Sequence, residues 1–175
     1  ALICAWARER FGEDVVLGTH GESMGAAAVM LHAREDGRLA FAVEDCGFSS
    51  LSALLRHVLN TRHRLPAFPI LPVASLFFRL RGGVFFKSVR PAEALKGCAH
   101  VPMLFVHGSA DELVPPRMLA ENYEAKAGAK TMWPVPDAPH AGSYRTDTAG
   151  YRDTLSAFLS EHGVIQPKDG GSGGF

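Results

Sequence analysis

Apolar positions along the chain fall into short continuous runs separated by stretches with helical rhythm. Leu2, Ile3, Trp6 and Arg10 follow a helical repeat that Phe11-Gly12 closes. Val15 to Thr19 then reads as a short buried strand. An alanine-rich helix is predicted from residue 23 to about 35, stopped by Asp36-Gly37. Leu39 to Val43 is a second buried strand, closed by Glu44-Asp45-Cys46-Gly47.

The pattern changes after this point. Leu51, Leu54, Leu55, Val58 and Leu59 sit at i, i+3, i+4, i+7 and i+8, the spacing of an amphipathic helix. Pro66, Pro69 and Pro72 break the chain, and residues 72–81 predict a helix apolar nearly all round, with Arg79 and Arg81 near its end and Gly82-Gly83 as its stop. Residues 48–91 therefore read as a helical cap inserted into a strand–helix alternation. The alternation resumes with a strand over Val101 to Val106, a helix after Pro115-Pro116 running to about Ala127, and a strand over Lys130 to Val135. Tyr151, Leu155, Phe158 and Leu159 form the face of a last helix. Strands alternating with helices predict an α/β fold, a parallel sheet with helices on both faces.

Composition narrows the function classes. Hydrophobic residues make up 47% of the 175 residues and charged ones 21%, which is the balance of a folded globular domain. Lys plus Arg is 18 and Asp plus Glu is 18, so no basic excess points to nucleic acid. No run reaches the roughly 18 continuous apolar residues of a membrane span, and no signal-peptide pattern is present. Cys4, Cys46 and Cys98 are widely spaced and read as reduced, mostly buried thiols. The expected compartment is the cytoplasm. The chain opens at Ala1 inside a helix, as if entered partway, and residues 165–175 read as a Gly/Ser-rich flexible tail.

The strongest chemical signal is Gly21-Glu22-Ser23-Met24-Gly25, a G-x-S-x-G sequence between an apolar run and a helix. In that context the serine sits on a sharp strand-to-helix turn as a nucleophile. Both flanking glycines are expected to relieve collisions with the neighbouring strand and helix. A serine nucleophile needs a base beside it and an anion to orient that base. Two loops after predicted strands offer them: Gly108-Ser109-Ala110-Asp111-Glu112-Leu113-Val114-Pro115 and Pro136-Asp137-Ala138-Pro139-His140. The order Ser23, Asp111, His140 is that of the α/β-hydrolase arrangement. Asp45 also ends a strand and rivals Asp111, with a loop-tethering role as its plainer reading.

These residues carry a family resemblance. With Gly18-Thr19-His20 before the elbow, Glu44-Asp45-Cys46-Gly47-Phe48-Ser49-Ser50, Leu65-Pro66-Ala67-Phe68-Pro69, Phe105-Val106-His107-Gly108 and Ala138-Pro139-His140-Ala141, the chain resembles the C-terminal part of an α/β-hydrolase of the serine aminopeptidase/esterase-like group, which includes bacterial YqkD-like hydrolases. The likeness covers about residues 1–164. It implies Ser23 as nucleophile, His140 as general base, Asp111 as orienting acid and the backbone N–H of Met24 as an oxyanion donor. Such a family member has roughly a hundred further residues before the first helix, supplying more strands and the second oxyanion donor. The implied chemistry is acyl-enzyme hydrolysis of an ester, thioester or amide in a small-molecule acyl substrate, with no cofactor and no metal. Carboxylesterase activity is favoured, and a peptidase or acyltransferase is the alternative enzyme. An inactive split segment that folds by dimerisation or with a partner is the non-enzymatic alternative.

Other side chains carry two readings each. Glu22 faces a pocket or binds the sheet end. Phe77-Phe78 and Phe85-Phe86 line an acyl pocket or are plain core. His20 reads as packed or hydrogen-bonded core, His107 as a brace for the acid loop, and His57, His63 and His100 as solvated.

Overall fold

The computed structural model describes residues 2–166; the tail expected over 165–175 lies, from residue 167 onward, outside the described residues. Four parallel strands form one sheet in chain order: β1 (Gly18–Glu22), β2 (Phe41–Asp45), β3 (Met103–Gly108) and β4 (Lys130–Val135). Its registers bring the carboxyl ends of the strands together, with Glu22 opposite Asp45 and Asp45 opposite Val106.

The side-chain alternation of the strands builds two cores. Ala42, Met103 and Phe105 point to one face, where Val29 and Met30 of α2 (Met24–Glu35), Leu95 of α5 (Pro91–Leu95) and Leu119 of α6 (Arg117–Ala125) cover them. Val43, Leu104 and Val106 point to the other, against Tyr151 and Phe158 of α8 (Thr148–Glu161). Strands covered on both faces read as continuous apolar runs, which is why the sheet was visible in the sequence. The three cysteines are buried free thiols, as expected.

Two expectations need correction. The first three strands begin two or three residues later than the apolar runs do, because each extends into polar residues at its carboxyl end. Glu44 and Asp45 are strand residues and fully packed, at 0% and 4% exposure. The first strand is also not buried: β1 pairs with β2 alone and alternates between exposed and half-buried positions. In α1 (Leu2–Phe11), Leu2, Ile3 and Trp6 face outward, while Cys4, Ala7 and Arg8 face inward. Arg8 holds Asp36 at the end of α2 at 3.1 Å, so a polar tether and two small residues dock this helix.

The cap consists of α3 (Leu51–Thr61), α4 (Ala67–Gly82) and a 3-10 turn over Phe86–Ser88. α4 starts earlier than the prolines predict. Phe68 is non-helical, Pro69 follows at the first helical position and Pro72 falls within the first turn. Proline sacrifices little there, since the first-turn amides lack intrahelical acceptors anyway. Gly83, in the left-handed region at φ 77°, ends the helix. The apolar stripe of α3 (Leu51, Leu54), with Val89, rests on Ala27, Phe48, Val114 and Met118 of the body. A last one-turn helix, α7 (Ser143–Thr146), follows the loop carrying His140.

Candidate active site

The chain turns sharply between β1 and α2, and Ser23 occupies the turn. Its backbone is at φ 55°, ψ −113°, a conformation that costs on the order of 1–3 kcal/mol for a non-glycine residue. Two features impose it. The Ser23 N–H donates to the Asp45 carbonyl at 2.8 Å, pinning the turn to β2. Gly21 lets the helix approach: a Cβ there would lie 2.3 Å from the Gly25 carbonyl oxygen. The steric role expected of the second glycine is absent, because a Cβ on Gly25 meets nothing within 4 Å. Met24 and Gly25 open α2, so their amides have no intrahelical acceptor and carry the positive end of the helix dipole beside Ser23.

The loops after β3 and β4 bring two more side chains to the turn. His140 Nε2 lies 2.9 Å from Ser23 Oγ, and His140 Nδ1 lies 2.8 Å from Asp111 Oδ2. These residues are 117 and 29 positions apart in sequence. Asp111 is 3% exposed, and its other oxygen accepts the Leu113 and Val114 amides at 2.9 Å each. Burial pushes its carboxyl up, but hydrogen bonds from His107, His140 and the Val114 amide outweigh that and hold it below the usual carboxylate range. His107 braces the acid loop as expected, with Nε2 2.9 Å from the Val114 carbonyl and 3.3 Å from Asp111. Gly108 is required at the crossing, since a Cβ there would lie 2.1 Å from the Ala138 carbonyl oxygen.

Asp45 does not reach His140. It accepts from Ser143 Oγ at 2.8 Å and so ties α7 to the end of β2, the tethering alternative. Burial raises its pKa. His20 is hydrogen-bonded, to Tyr151 Oη at 3.0 Å, but it is exposed rather than core. His57 is half-buried and bonds the Glu112 carbonyl at 3.1 Å, instead of being solvated; His63 and His100 are exposed. Glu22 is exposed at the end of β1. Phe77 and Phe78 line a surface hollow of about 450 Å³ with Ala74, Arg81 and Phe86, and no member of the Ser23–His140–Asp111 chain lines it. A cleft of about 280 Å³ does reach Asp111, between the acid loop and His57, Thr61 and Arg62 at the end of α3.

Two buried residues beside the turn were given no site role by the sequence. Glu44 is wholly enclosed, and burial pushes its carboxyl up to about 8, so it is protonated at neutral pH; its Oε2 accepts the Gly47 amide at 2.8 Å. Cys46, at φ 51°, sits against the Ser23 and Ala141 amides, and burial pushes its thiol up to about 12. Both lie at the carboxyl end of β2, and that position alone was the available signal. Cys46, Asp111 and His140 bring donor atoms within 4.8 Å of one another, as do Cys4, His32 and Asp36. In the first group His140 and Asp111 already bond each other; in the second Arg8 already neutralises Asp36.

A parallel sheet with this turn after its first strand, and with an acid and a histidine on the loops after β3 and β4, is the arrangement of the α/β-hydrolase fold, and the chain has that fold. Its relatives agree. It is 35% identical over 147 residues to the uncharacterized protein YqkD of Bacillus subtilis, covering 82% of this chain and 48% of that protein. The chain thus spans about half the length of the curated relative it matches. Esterase Pf2001 of Pyrococcus furiosus superposes with a TM-score of 0.69 at 19% identity, over 90% of this chain and 58% of that one. A puromycin-hydrolyzing peptidase of Mycobacterium tuberculosis gives 0.68 at 16% identity, over 94% and 25%. An esterase domain from Rhodothermus marinus gives 0.64 at 17%, over 91% and 66%. No protein-family model matches the chain.

Proposed function

We propose that this chain carries the reaction centre of a serine hydrolase that cleaves esters through an acyl-enzyme, with thioesters and amides as further substrates of the same chemistry. The observation that supports it is the continuous chain Ser23 Oγ–His140 Nε2, His140 Nδ1–Asp111 Oδ2, at 2.9 and 2.8 Å. Ser23 Oγ attacks the acyl carbonyl and its proton passes to His140 Nε2. The Asp111 carboxylate fixes the proton on Nδ1, which keeps Nε2 free as the acceptor, and stabilises the imidazolium. The developing oxyanion takes the Met24 amide. Collapse breaks the ester bond, and Nε2 returns the proton to the leaving alkoxide. Water then enters, loses a proton to the same nitrogen and releases the acid. Ser23, His140, Asp111 and the Met24 amide all belong to the chain.

The esterases and the peptidase among the fold neighbours support hydrolysis as the reaction class. A carboxylesterase acting on a small or medium acyl group is the reading we favour over a peptidase or acyltransferase. The open edge of β1, flanked by a groove of about 650 Å³ along Leu2, Ile3, Leu17 and Thr19, supports a second reading: further sheet or a second copy packs there and completes the oxyanion site, and without it the chain folds but does not turn over. A fluorophosphonate probe and a p-nitrophenyl acyl ester test both. Wild type labels and turns over, and Ser23→Ala does neither. Labelling that persists in Ser23→Ala refutes the nucleophile. A folded wild type that neither labels nor turns over favours the incomplete-site reading.

A further inference from the structure

The cap is unlike the rest of the molecule in two independent ways. Neither α3 nor α4 buries a single residue. On α4 the exposed side chains are large and apolar: Phe68 at 78%, Val73 at 51%, Leu76 at 52%, Phe77 at 62%, Phe78 at 44% and Leu80 at 74%. A continuous patch of this kind marks an interaction surface.

Charge is segregated in the same segment. Residues 51–90 contain seven Lys or Arg and no Asp or Glu, whereas the whole chain balances 18 against 18. The body therefore carries an equal excess of acids. All seven cations are exposed. Among the described residues only Arg90 pairs with a carboxylate, Glu93 at 3.2 Å. Arg62 and Arg64 precede α4, and Arg79, Arg81 and Lys87 follow its apolar face. Arg79 and Lys87 both lie over the Phe85 ring at 5.7 Å.

We propose that the cap docks on an anionic lipid surface, with the α4 phenylalanines and leucines at the acyl boundary and the flanking arginines on lipid phosphates. Apolar residues framed by Lys and Arg are what an interfacial helix presents. The charge distribution selects this occupant. A second copy seated face to face would bring two acid-free cationic segments together, which like-charge repulsion opposes. An anionic surface attracts the cap and repels the acidic body, so it also sets the orientation. The cap lies on the surface and does not cross it. α4 has 16 residues, roughly 24 Å of helix against a hydrocarbon core of about 30 Å. Among the described residues no single helix is long and apolar enough to span, and the one pair that passes by length and composition, α4 with Phe86–Leu95, is bent by 81°. Leu95 is moreover part of the protein core.

Flotation of the intact chain with vesicles of phosphatidylcholine alone, and of phosphatidylcholine mixed with phosphatidylglycerol, tests the proposal. The chain is expected to float with the mixed vesicles, not with the neutral ones, and to be released as salt rises. Arg79→Gln, Arg81→Gln and Lys87→Gln combined should weaken partitioning about a hundredfold. Phe77→Ser with Leu80→Ser should weaken it comparably. All five positions are exposed, so circular dichroism should show unchanged folding. Equal binding to neutral and mixed vesicles, binding to neither, or undiminished binding by both variants overturns the proposal. So does wild-type self-association that Phe77→Ser with Leu80→Ser abolishes while vesicles are ignored, which assigns the face to a second copy. None of these readouts depends on hydrolysis.

Discussion

Asp111→Asn isolates what the acid does, because the surroundings dictate how the amide must sit. Asp111 Oδ1 accepts two backbone amides, from Leu113 and Val114, at 2.9 Å each. An asparagine keeps those bonds only with its carbonyl oxygen at that position. Its NH₂ then faces His140 Nδ1, 2.8 Å from the atom it replaces. A donor there requires Nδ1 to be the acceptor and places the imidazole proton on Nε2, against Ser23 Oγ. That tautomer cannot take the serine proton. Wrong-tautomer substitutions in Ser-His-Asp sites cost about 10⁴ in rate, or about 5 kcal/mol of barrier. The fold should survive, since the loop bonds are retained; the one new conflict is with His107 Nε2, at 3.3 Å. The rate of fluorophosphonate labelling and kcat on a p-nitrophenyl ester, with thermal unfolding as a control, measure the effect. A folded Asp111→Asn within tenfold of wild type in both assays would refute the orienting role.

Two further outcomes are expected. Glu44 binds its proton up to about pH 8 in the folded state, against an ordinary value of 4.5. The unfolded chain releases that proton first, so stability falls as pH rises through this window, at up to about 1.4 kcal/mol per pH unit. Glu44→Gln should remove that slope in urea titrations between pH 5 and 8, and an identical slope in both proteins would contradict it. At the elbow, Gly21→Ala drives a Cβ onto the Gly25 backbone and should cost about 1–3 kcal/mol and slow Ser23 labelling. Gly25→Ala meets open space within a helix and should be neutral or stabilising by up to about 1 kcal/mol, so equal losses at both glycines would sink the distinction.

Much of this molecule was legible in the order of its residues. Strands buried on two faces are apolar without interruption, so β2 and β3 announced themselves, and Asp36-Gly37 and Gly82-Gly83 punctuated the helices around them. Ser23, Asp111 and His140 were legible because each sits on a loop that a strand has just delivered. What composition and periodicity could not convey are facts of neighbourhood. Burial of a polar strand end depends on who covers it, so Glu44 passed as a loop residue. The facing of α1 is not in its rhythm either, because two small residues and an arginine dock it, while its large apolar side chains point away. Gly21 and Gly25 look equivalent as letters, yet only one has a helix backbone against its Cα. Local sequence determined the elements, the elbow and the order of the serine, aspartate and histidine along the chain, because the elements and the turn are set by steric and hydrogen-bond rules acting over a few residues. The tertiary structure alone decided which carboxylate meets His140, which cap face stays uncovered and which buried acid holds its proton, because those depend on distances across the chain that no local pattern encodes.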